Sequence, residues 1–494
     1  MQVVPRLRRL PVDGWADPAD LFVALYSDSP DAVWLDAGAG ASTARSYLAS
    51  GDLTATFALA DGNVVVRSQE GIRAFEGTML HFLRDDLARR ADAPGEPHAA
   101  TGDSGEPSFA LGWVGWLGYE SGVSLSGIPV APTTGPDAAM LFVDRAIEID
   151  HERQTIELLV LDGAQGAEGA DVDGWVARVR AAVATASGAA ADYALRHESR
   201  TTTAPATWRH SDGEYLALIA ACQDAIRRGD AYQLCLTNTA ISDADRDALA
   251  VHLRLRASSP AHHGGLLRIA GTELVSSSPE QFLAVTPAGR VRTKPIKGTR
   301  PRGATLARDL ELRAELEASE KERAENVMIV DLMRNDLGRV SEVGSVEVHH
   351  LLAVESYPQV HQLVSTVEGR LLPGLTAVDA VAACFPAGSM TGAPKLSAMR
   401  ILNSLEGGPR GVYSGCFGYF GLDGAADLAM VIRSIAIRPG RVTIGAGGGI
   451  TALSVPEEEL DEVAVKARAL FAAAGLSIDR GEHGIGNGSR GSNV

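Results

Sequence analysis

The apolar residues of this chain occur in short runs, and none approaches the roughly 20 residues that a membrane-spanning helix needs. No transmembrane helix and no membrane partner are therefore expected. With 494 residues, 45% of them hydrophobic, the chain can instead bury a large core of strands and helices. The N-terminus is basic, but Pro11 and Asp13 interrupt the segment after it, so a secretory signal is not predicted.

Charge and cysteine usage exclude further function classes. The net charge is −17 and the sequence pI is near 5.2, whereas affinity for nucleic acid depends largely on Lys and Arg contacts to phosphates. We therefore expect no nucleic-acid partner. The cysteines lack metal-type spacing, which predicts reduced core cysteines in a cytoplasmic protein: Cys222, Cys235, Cys384 and Cys416.

The N-terminal part of the chain mixes apolar runs with loops. The runs predict strands at residues 64–66, 139–143 and 156–160, and a helix is expected over residues 175–186. A stretch rich in Ala, Ser and Thr follows at residues 187–207, and this composition predicts a subdomain junction.

The chain is expected to divide into three parts, the first of which ends within that junction. An N-terminal subdomain covers residues 1–200 and a core region covers residues 201–478. The remaining residues, 479–494, cannot bury apolar surface and are expected to be disordered.

The core region carries clearer signals of secondary structure. Asp212 is predicted to cap a helix that ends near Arg228, and Gly229 follows it as a stop signal. A strand is predicted over residues 232–237 and one long helix over residues 305–339.

Two predicted helices carry carboxylates at helical spacing. Glu322 and Glu325 share one face of the helix that contains residues 321–332, just before an apolar stripe. Glu459 and Glu462 share a face of a helix that begins near Pro456, and Lys466 continues that face. Two such pairs could hold one Mg2+ together with waters and a substrate carboxylate. Ion pairing on a solvated helix face is the alternative explanation.

A basic turn at residues 293–303 contains a candidate nucleophile. Its Gly298 allows close backbone approach, so that the amides of Gly298 and Thr299 could bind a carboxylate. Lys297 lies among other cations, which would favour a neutral, nucleophilic amine. Glycine-rich turns at residues 385–395 and 445–450 could bind anions as well. Surface loops without ligands would explain the same patterns.

These segments occur together in an order that resembles the chorismate-utilising enzymes, which include anthranilate synthase component I, aminodeoxychorismate synthase component I, isochorismate synthase and salicylate synthase. The resemblance is strong over residues 205–475 and weak before them. It implies an α+β fold, a large α/β sandwich of two mostly antiparallel sheets with flanking helices, in which residues 201–478 are the chorismate-binding catalytic core. Eight segments carry it: Asp230–Thr237, Ser277–Phe282, Pro295–Thr299, Ala324–Asp336, His361–Ser365, Phe385–Lys395, Tyr413–Phe420 and Gly445–Lys466.

The resemblance implies a role for each matching residue. Mg2+ would be bound by Glu325 and Glu462, with Glu322 and Glu459 beside it through water. Glu280 resembles the acid that protonates the departing 4-hydroxyl, because a hydroxyl is a poor leaving group unless protonated. His361 resembles an active-site histidine that helps to position the ring.

The implied contacts to substrate come from several segments. Tyr413 and Arg433 would hold the enolpyruvyl carboxylate, for which a bidentate guanidinium is well suited. Gly298, Thr299 and Lys466 resemble contacts to the ring carboxylate and its metal. The implied substrate-binding set is completed by four residues: Gln233, Thr391, Gly447 and Gly448.

Two positions favour one branch of the family. Gln233 stands where the water-using members have a Lys that acts as a base, so ammonia is the expected nucleophile. Lys297 stands where anthranilate synthases usually have Ala and where aminodeoxychorismate synthases have a catalytic Lys. This resemblance implies amination at C4 through a Lys297 adduct, giving 4-amino-4-deoxychorismate for 4-aminobenzoate and folate synthesis.

The ammonia is expected to come from a separate glutamine amidotransferase subunit, since no Gly-x-Cys-x-Gly nucleophile turn surrounds any cysteine. Anthranilate synthase component I, with ammonia added at C2, is the alternative within the family. A non-catalytic, chorismate-binding regulatory relative is the alternative from another class. The identity of the product separates the first two, and Mg2+-dependent loss of chorismate separates both from the third.

Overall fold

A computed structural model describes residues 6–91, 106–162, 171–198, 202–357 and 360–478. The tail at residues 479–494, predicted to be disordered, lies outside the described residues. The boundary between the N-terminal subdomain and the core near residue 200 stays a prediction, although strands from both sides of it share each sheet.

Strands and helices make up similar shares of the described chain, and most of the strands are short. In chain order they are β1 Arg6–Val12, β2 Ala32–Asp36, β3 Arg45–Ser50, β4 Leu53–Ala58, β5 Asn63–Ser68, β6 Gly71–Glu76, β7 Gly112–Leu117, β8 Ala138–Val143, β9 Arg145–Asp150, β10 Thr155–Asp162, β11 Ala204–Trp208, β12 Gln233–Ser242, β13 His263–Ile269, β14 Thr272–Ser278, β15 Gln281–Val285, β16 Arg290–Thr293, β17 Ile296–Pro301, β18 Glu347–Ser356, β19 Val360–Arg370, β20 Gly392–Ala393, β21 Cys416–Gly421, β22 Ala426–Met430, β23 Ser434–Arg438, β24 Arg441–Ile450 and β25 Leu476–Ile478.

Helices flank these strands, and a short 3-10 turn at Gly388–Met390 lies between two of them. None of the helices in the described ranges combines the length and apolar composition that crossing a bilayer demands. The helices are α1 Pro18–Tyr26, α2 Met79–Ala91, α3 Tyr119–Leu125, α4 Val172–Thr185, α5 Ala189–Glu198, α6 Asp212–Arg227, α7 Ala248–Ser258, α8 Leu306–Ala318, α9 Glu320–Gly338, α10 Ala377–Cys384, α11 Lys395–Leu405 and α12 Pro456–Ala474.

The strands form two large sheets, as the α+β sandwich prediction requires. The first sheet has the order β1-β10-β9-β3-β2-β13-β14-β23-β24-β12-β11-β25, with β20 added beside β12. The second has the order β17-β19-β16-β15-β22-β21-β7-β8-β4-β5-β6, with β18 added beside β19. Among the described strands every pairing is antiparallel except that of β11 with β25. The predicted fold class is confirmed.

Two apolar cores hold these layers together. One core lies between the sheets and includes the fully buried Trp113 and Trp116 of β7. The other lies on the opposite face of the first sheet, where α1, α4, α6, α7 and α12 pack on it. Burial of such large aromatic side chains supplies much of the hydrophobic stabilisation of a core. Because α12 packs on β24, the carboxylates of α12 lie directly beside that strand.

Several local predictions need correction. The single helix predicted over residues 305–339 is two helices, because Ser319 has an extended backbone (φ −68°, ψ 109°) that separates α8 from α9. The stretch at residues 187–207 includes α5 and most of β11, and its role as a subdomain junction stays a prediction. The N-cap of α6 is Ser211 rather than Asp212. Its hydroxyl and the Glu214 side chain form a reciprocal capping box, which satisfies backbone donors at the start of the helix.

Candidate active site

Acidic side chains of α9 and α12 meet beside β24. Glu325 lies close enough to Glu459 and Glu462 for their negative charges to raise its pKa, although burial is the larger cause of that shift. The ammonium groups of Lys297 and Lys321 act in the opposite direction on Glu325. The structure thus brings together carboxylates from two helices that are far apart in sequence.

Two lysines neutralise part of this negative charge. Lys321 Nζ lies 3.4 Å from Glu459 Oε1, which also accepts a 2.7 Å hydrogen bond from the hydroxyl of Ser454. Lys466 Nζ lies 2.5 Å from Glu462 Oε1 and donates to the Gly447 carbonyl at 2.8 Å. Burial alone would raise the pKa of Glu462, but the contact with Lys466 outweighs it and leaves that pKa below its usual value.

The donor chemistry of this cluster suits Mg2+, which prefers carboxylate oxygens and water. Mutual repulsion contributes to the raised pKa of Glu325, and a divalent cation would relieve it. In their present arrangement the paired lysines take the place of a cation. No three His, Cys, Asp or Glu side chains in the described ranges are grouped as a complete metal site. Metal binding by Glu325, Glu462, Glu322 and Glu459 therefore stays a prediction.

Lys297 faces these carboxylates from β17. Its ammonium influences the carboxyls of Glu280, Glu325 and Glu462. Within the described part of the chain, however, no carboxylate lies within ion-pair distance of Lys297 and no hydrogen bond engages it. An amine without a fixed partner can attack a bound molecule once it has lost its proton.

The basic neighbours of Lys297 are all engaged elsewhere, contrary to the argument that they act on it as free cations. Lys294 lies 3.4 Å from Glu355 Oε1. Arg300 contacts Glu315 and Glu322, and Arg302 makes a two-pronged contact with Asp309. The neighbouring positive charges are therefore balanced locally, and the acids around Lys297 dominate its surroundings.

Glu280 lies buried between β14 and β15, on the side of Lys297. Burial raises the pKa of Glu280 to about 7, while Lys297, a hydrogen bond from Ser389 and Lys466 each moderate the increase. A carboxyl group with that pKa is largely protonated just below neutral pH and can donate its proton. These properties are those required of the acid that the sequence predicts at this position.

Glycine is required at several positions of β24, because other side chains lie directly against the strand. A Cβ atom on Gly445 would fall 2.1 Å from the ring of Tyr413, and one on Gly449 would fall 2.2 Å from Nε2 of Gln233. Gly448 leaves room in the same way for the Glu459 carboxylate. The glycine-rich turn predicted at residues 445–450 is thus the end of a strand that forms one wall of the site.

Gln233 contributes an unsatisfied polar atom to this wall. Its side chain is 1% exposed, and its Oε1 has no hydrogen-bond partner among the described residues. A buried carbonyl oxygen without a donor is costly, and such exceptions need an explanation. A bound ligand that carries N–H groups would satisfy this oxygen.

Tyr413 and Arg433 precede β24 in the sequence, whereas Lys466 follows it. Arg433 lies close to Tyr413 and to Glu462, the partner of Lys466. Burial lowers the pKa of Arg433, and the nearby Tyr413 and Glu462 act to raise it. Arg433 also has a left-handed backbone (φ 51°), which is uncommon outside glycine and frequent at functional sites. A partly buried, incompletely paired arginine beside a tyrosine can hold a carboxylate.

Four predicted site residues have contacts outside this cluster. Glu322 is 3.0 Å from Arg300, and its side chain packs against Gly298, whose positive φ of 86° favours glycine. Thr299 pairs with β19 through the backbone. The Thr391 hydroxyl donates to carbonyls within its own turn, at Ala387 and Gly388.

His361 is likewise held by neighbours of its own. Its Nε2 lies 3.0 Å from Asp309 Oδ1, and its Nδ1 lies 2.8 Å from the Ser356 hydroxyl. Arg302 holds the same Asp309 carboxylate. With both ring nitrogens engaged, His361 is held in a fixed orientation at the start of β19. Its predicted role in positioning the ring is not tested by these contacts.

Sequence reasoning missed three side chains that contribute to the site: Lys321, Ser389 and Ser454. Lys321 and Glu325 have i, i+4 spacing, so the sequence does carry a signal for that lysine. The contacts of Ser389 with Glu280 and of Ser454 with Glu459 join residues whose spacing predicts nothing by itself.

The fold and this cluster define a known family. The family model for the chorismate binding enzyme matches residues 34–472, and the chain belongs to that family. It is 43% identical to the aminodeoxychorismate synthase of Streptomyces griseus over 459 residues, which covers 91% of this chain and 62% of that protein. The chain thus spans about three fifths of the length of this relative.

Two other relatives are named anthranilate synthase component 1 or I. The anthranilate synthase component 1 of Streptomyces coelicolor is 38% identical over 408 residues, covering 80% of this chain and 77% of that protein. The crystal structure of anthranilate synthase component I from Streptococcus pneumoniae superposes with a TM-score of 0.70 at 27% identity, covering 86% of this chain and 92% of that one. The predicted resemblance to the family is confirmed.

Proposed function

We propose that this chain catalyses the Mg2+-dependent amination of chorismate by ammonia to give 4-amino-4-deoxychorismate, for 4-aminobenzoate and folate synthesis. The observation that carries this proposal is the position of Lys297, whose side chain faces Glu280 and Glu325 without a fixed partner in the described chain. The similarity to aminodeoxychorismate synthases at 43% and 40% identity supports the same branch.

The first step would replace the 4-hydroxyl of chorismate by a bond to the enzyme. Lys297, as the neutral amine, attacks C2, the ring double bond shifts, and the C4–O bond breaks. Glu280 gives its proton to the departing oxygen, which leaves as water. Protonation matters because a hydroxide ion is a poor leaving group. A pKa of about 7 lets Glu280 carry this proton near neutral pH.

The second step would release the enzyme and fix the position of the amine. Ammonia attacks C4, the double bond shifts back, and the bond between C2 and Lys297 breaks, so that Lys297 leaves as the neutral amine. The new ammonium at C4 returns one proton to Glu280, which restores the acid. The sum of both steps converts chorismate and ammonia to the 4-amino product and water. Two successive allylic displacements of this kind are covalent catalysis by an activated amine.

Gln233 would help to select ammonia over water. Its buried Oε1 can accept a hydrogen bond from an N–H group, whereas an amide side chain cannot act as a general base toward water. The remaining contacts serve the two carboxylates of chorismate. Tyr413 and Arg433 would bind the enolpyruvyl carboxylate. Lys466, with the backbone of Gly298 and Thr299, would bind the ring carboxylate.

Glu325 and Glu462 would hold Mg2+, with Glu322 and Glu459 beside them, once the lysines release their partners. The ion would supply positive charge next to the ring carboxylate when bound. The predicted Thr391, Gly447 and Gly448 would complete the walls of the site, and His361 would help to orient the ring.

The ammonia would be supplied by a glutamine amidotransferase as a separate subunit. We place the reaction in the cytoplasm, where all four cysteines, which are free and buried, would remain reduced. Free ammonium at mildly alkaline pH should replace the subunit, because the proposed chemistry consumes only ammonia.

Anthranilate synthesis is the second candidate, favoured by the relative from Streptomyces coelicolor, of which this chain covers 77%. Lys297 would then have no covalent role. A non-catalytic regulatory relative would bind chorismate without consuming it, but this candidate leaves the proton donor Glu280 without a purpose.

Product analysis tests the proposed function. The purified chain would be incubated with chorismate, Mg2+ and ammonium at mildly alkaline pH. We expect an acid-labile product that an added lyase converts to 4-aminobenzoate. Fluorescent anthranilate would instead assign the chain to the tryptophan branch, and unchanged chorismate would contradict both.

A further inference from the structure

A buried arginine below the candidate active site uses every hydrogen-bond donor it has. Arg410 is 2% exposed and its guanidinium carries five N–H groups. Its contacts are Nε to Glu406 Oε2 at 2.8 Å, one Nη to Glu406 Oε1 at 2.7 Å and to the Cys235 carbonyl at 2.8 Å, and the other Nη to the Met390 carbonyl at 2.7 Å and to the Ser414 hydroxyl at 3.2 Å.

The partner carboxylate is equally saturated. Glu406 Oε1 accepts hydrogen bonds from the backbone amide and the hydroxyl of Thr237, both at 2.9 Å, as well as from Arg410. The ring of Tyr119 lies 4.1 Å below the guanidinium carbon. We call Arg410, Glu406 and Thr237 the closed network. None of its charged atoms is left to bind a ligand.

Each external contact of the closed network ends on a segment that also carries a site residue. Cys235 and Thr237 lie on β12 two and four residues after Gln233. Met390 lies between Ser389 and Thr391 in the turn that faces Glu280. Ser414 directly follows Tyr413. One guanidinium therefore joins three segments that approach the substrate from different parts of the sequence.

We propose that Arg410 is a positioning residue, which fixes β12, the 388–391 turn and Tyr413 relative to one another for the reaction. This inference rests on the proposed function, because it concerns the same site. Only a planar group with five donors in fixed directions can reach three segments at once. A lysine would keep the charge but has three donors in a different geometry.

Stability alone does not account for such a network. Removing two opposite charges from water is so unfavourable that apolar residues of similar volume often stabilise a protein as well or better. The contacts of Arg410 instead fix positions, and a displacement of about 1 Å can reduce the rate of catalysis about 100-fold.

A comparison of two arginine variants tests the inference. Arg256 is the control, because it is largely enclosed, pairs with Asp36 (Oδ2, 2.8 Å) and Asp17 (Oδ1, 3.6 Å), and lies over an aromatic ring (Trp34, 5.2 Å) remote from the three segments that Arg410 joins. We expect Arg410→Lys to lower kcat for chorismate consumption about 100-fold and Arg256→Lys to change it less than about threefold. The melting temperatures of both variants should fall by similar amounts.

The pH profile supplies a measurement that loss of stability alone would not change. The carboxyl of Glu280 faces Lys297, Ser389 and Lys466. Ser389 precedes Met390, so loosening that turn weakens a hydrogen bond that lowers the pKa of Glu280. At constant free ammonia, the alkaline limb of the kcat profile should therefore move to higher pH in Arg410→Lys. A profile unchanged from wild type would overturn the proposed role.

Amide hydrogen exchange tests the same point without relying on activity. In Arg410→Lys the segments at residues 232–237 and 387–392 should exchange faster than in wild type, while strands remote from Arg410, such as β4 and β5, should not. Unchanged exchange in these segments overturns the inference. Should wild type consume no chorismate, the proposed function fails, and exchange alone then decides whether Arg410 positions these segments.

Ser414→Ala is the second variant, for the case in which Arg410→Lys does not fold. It removes one acceptor from Arg410 and leaves the ion pair with Glu406 intact. Because Ser414 follows Tyr413, KM for chorismate should rise about fivefold, the effect of losing one hydrogen bond, with kcat little changed. An unchanged KM and unchanged exchange at residues 232–237 and 387–392 would contradict the inference.

Discussion

Two groups of charged side chains lie next to each other in this protein, one buried and one partly exposed, and they differ in how completely they are paired. In the closed network of Arg410, Glu406 and Thr237, every donor of the guanidinium has an acceptor. The other group, which we call the open cluster, leaves Lys297 without a fixed partner among the described residues and shifts the pKa of several acids. Its members are Glu280, Lys297, Glu325, Glu459, Glu462 and Lys466.

Cys235 lies between the closed network and the open cluster. Its carbonyl accepts a hydrogen bond from Arg410, while its thiol lies close to the ammonium groups of Lys297 and Lys466. The two groups differ in the function that their pairing allows. Complete pairing fixes segments in place, whereas incomplete pairing leaves charges that a substrate and a metal ion can satisfy.

Removing the unpaired amine should have the largest effect. Lys297→Ala should reduce formation of 4-amino-4-deoxychorismate by about 10³-fold, because the proposed adduct forms on this amine, and residual product should shift toward anthranilate. Chromatography of both products measures this. Lys294→Ala is the matched control, since that lysine lies three residues earlier and is paired with Glu355. Normal 4-amination by Lys297→Ala would show that Lys297 is not the nucleophile.

Ionisation of Glu280 should lower the free energy of unfolding. Burial raises its pKa from 4.5 to about 7, so the folded state disfavours ionisation. The contribution of Glu280 to the free energy of unfolding is fully present below about pH 4.5. It is lost as the pH rises through about 7, and the total loss is about 3 kcal/mol. Glu280→Gln does not titrate and should escape this loss.

Urea unfolding of wild type and Glu280→Gln at about pH 5 and about pH 8 measures the difference. We expect the variant to gain stability relative to wild type at the higher pH. Parallel pH dependence of the two proteins would mean that the Glu280 carboxyl ionises freely in the folded state.

Mg2+ should stabilise the open cluster. At a concentration 100 times its dissociation constant, a bound ion adds about 2.7 kcal/mol to the free energy of unfolding. Glu325→Gln should lose most of this gain, whereas Glu311→Gln, an exposed glutamate of α8 paired with Arg308, should keep it. Calorimetric melting with and without Mg2+ provides the measurement. Equal gains in both variants would exclude Glu325 as a ligand.

The smallest expected effect concerns the closed network. Thr237→Val preserves the shape of the side chain but removes its hydroxyl hydrogen bond to Glu406. The free energy of unfolding should fall by about 1 kcal/mol, since Glu406 keeps its bonds to Arg410 and to the Thr237 amide. Chemical denaturation measures it. A loss several times larger would mean that the network carries much of the stability of the fold.

The sequence predicts the fold well where a local pattern reports on burial. The apolar run at residues 139–143 is the fully buried β8, and apolar runs are typical of strands covered on both faces. The break at Ser319 is not predictable, because polar helix-forming residues continue across it and only its backbone angles end α8. The strand β11 escapes prediction because it is formed by pairing with β12 and β25 rather than by its own composition.

The site is predictable to the extent that ordered motifs identify its residues. Glu322 and Glu325 share a helix face, yet Glu322 is paired with Arg300, 22 residues earlier, and Glu459 with Lys321, 138 residues earlier. Such long-range partners follow from the packing of α9, α12 and β17, which no local spacing encodes. The closed network is invisible in the sequence for the same reason.

Mass spectrometry of the intact protein, after chorismate and Mg2+ are added without ammonia and the mixture is rapidly quenched, tests the central claim most directly. We predict a covalent adduct with the mass of chorismate less one water, located on Lys297 by peptide mapping and lost when ammonium is added. An unmodified Lys297 in protein that forms the 4-amino product once ammonium is supplied would contradict the claim.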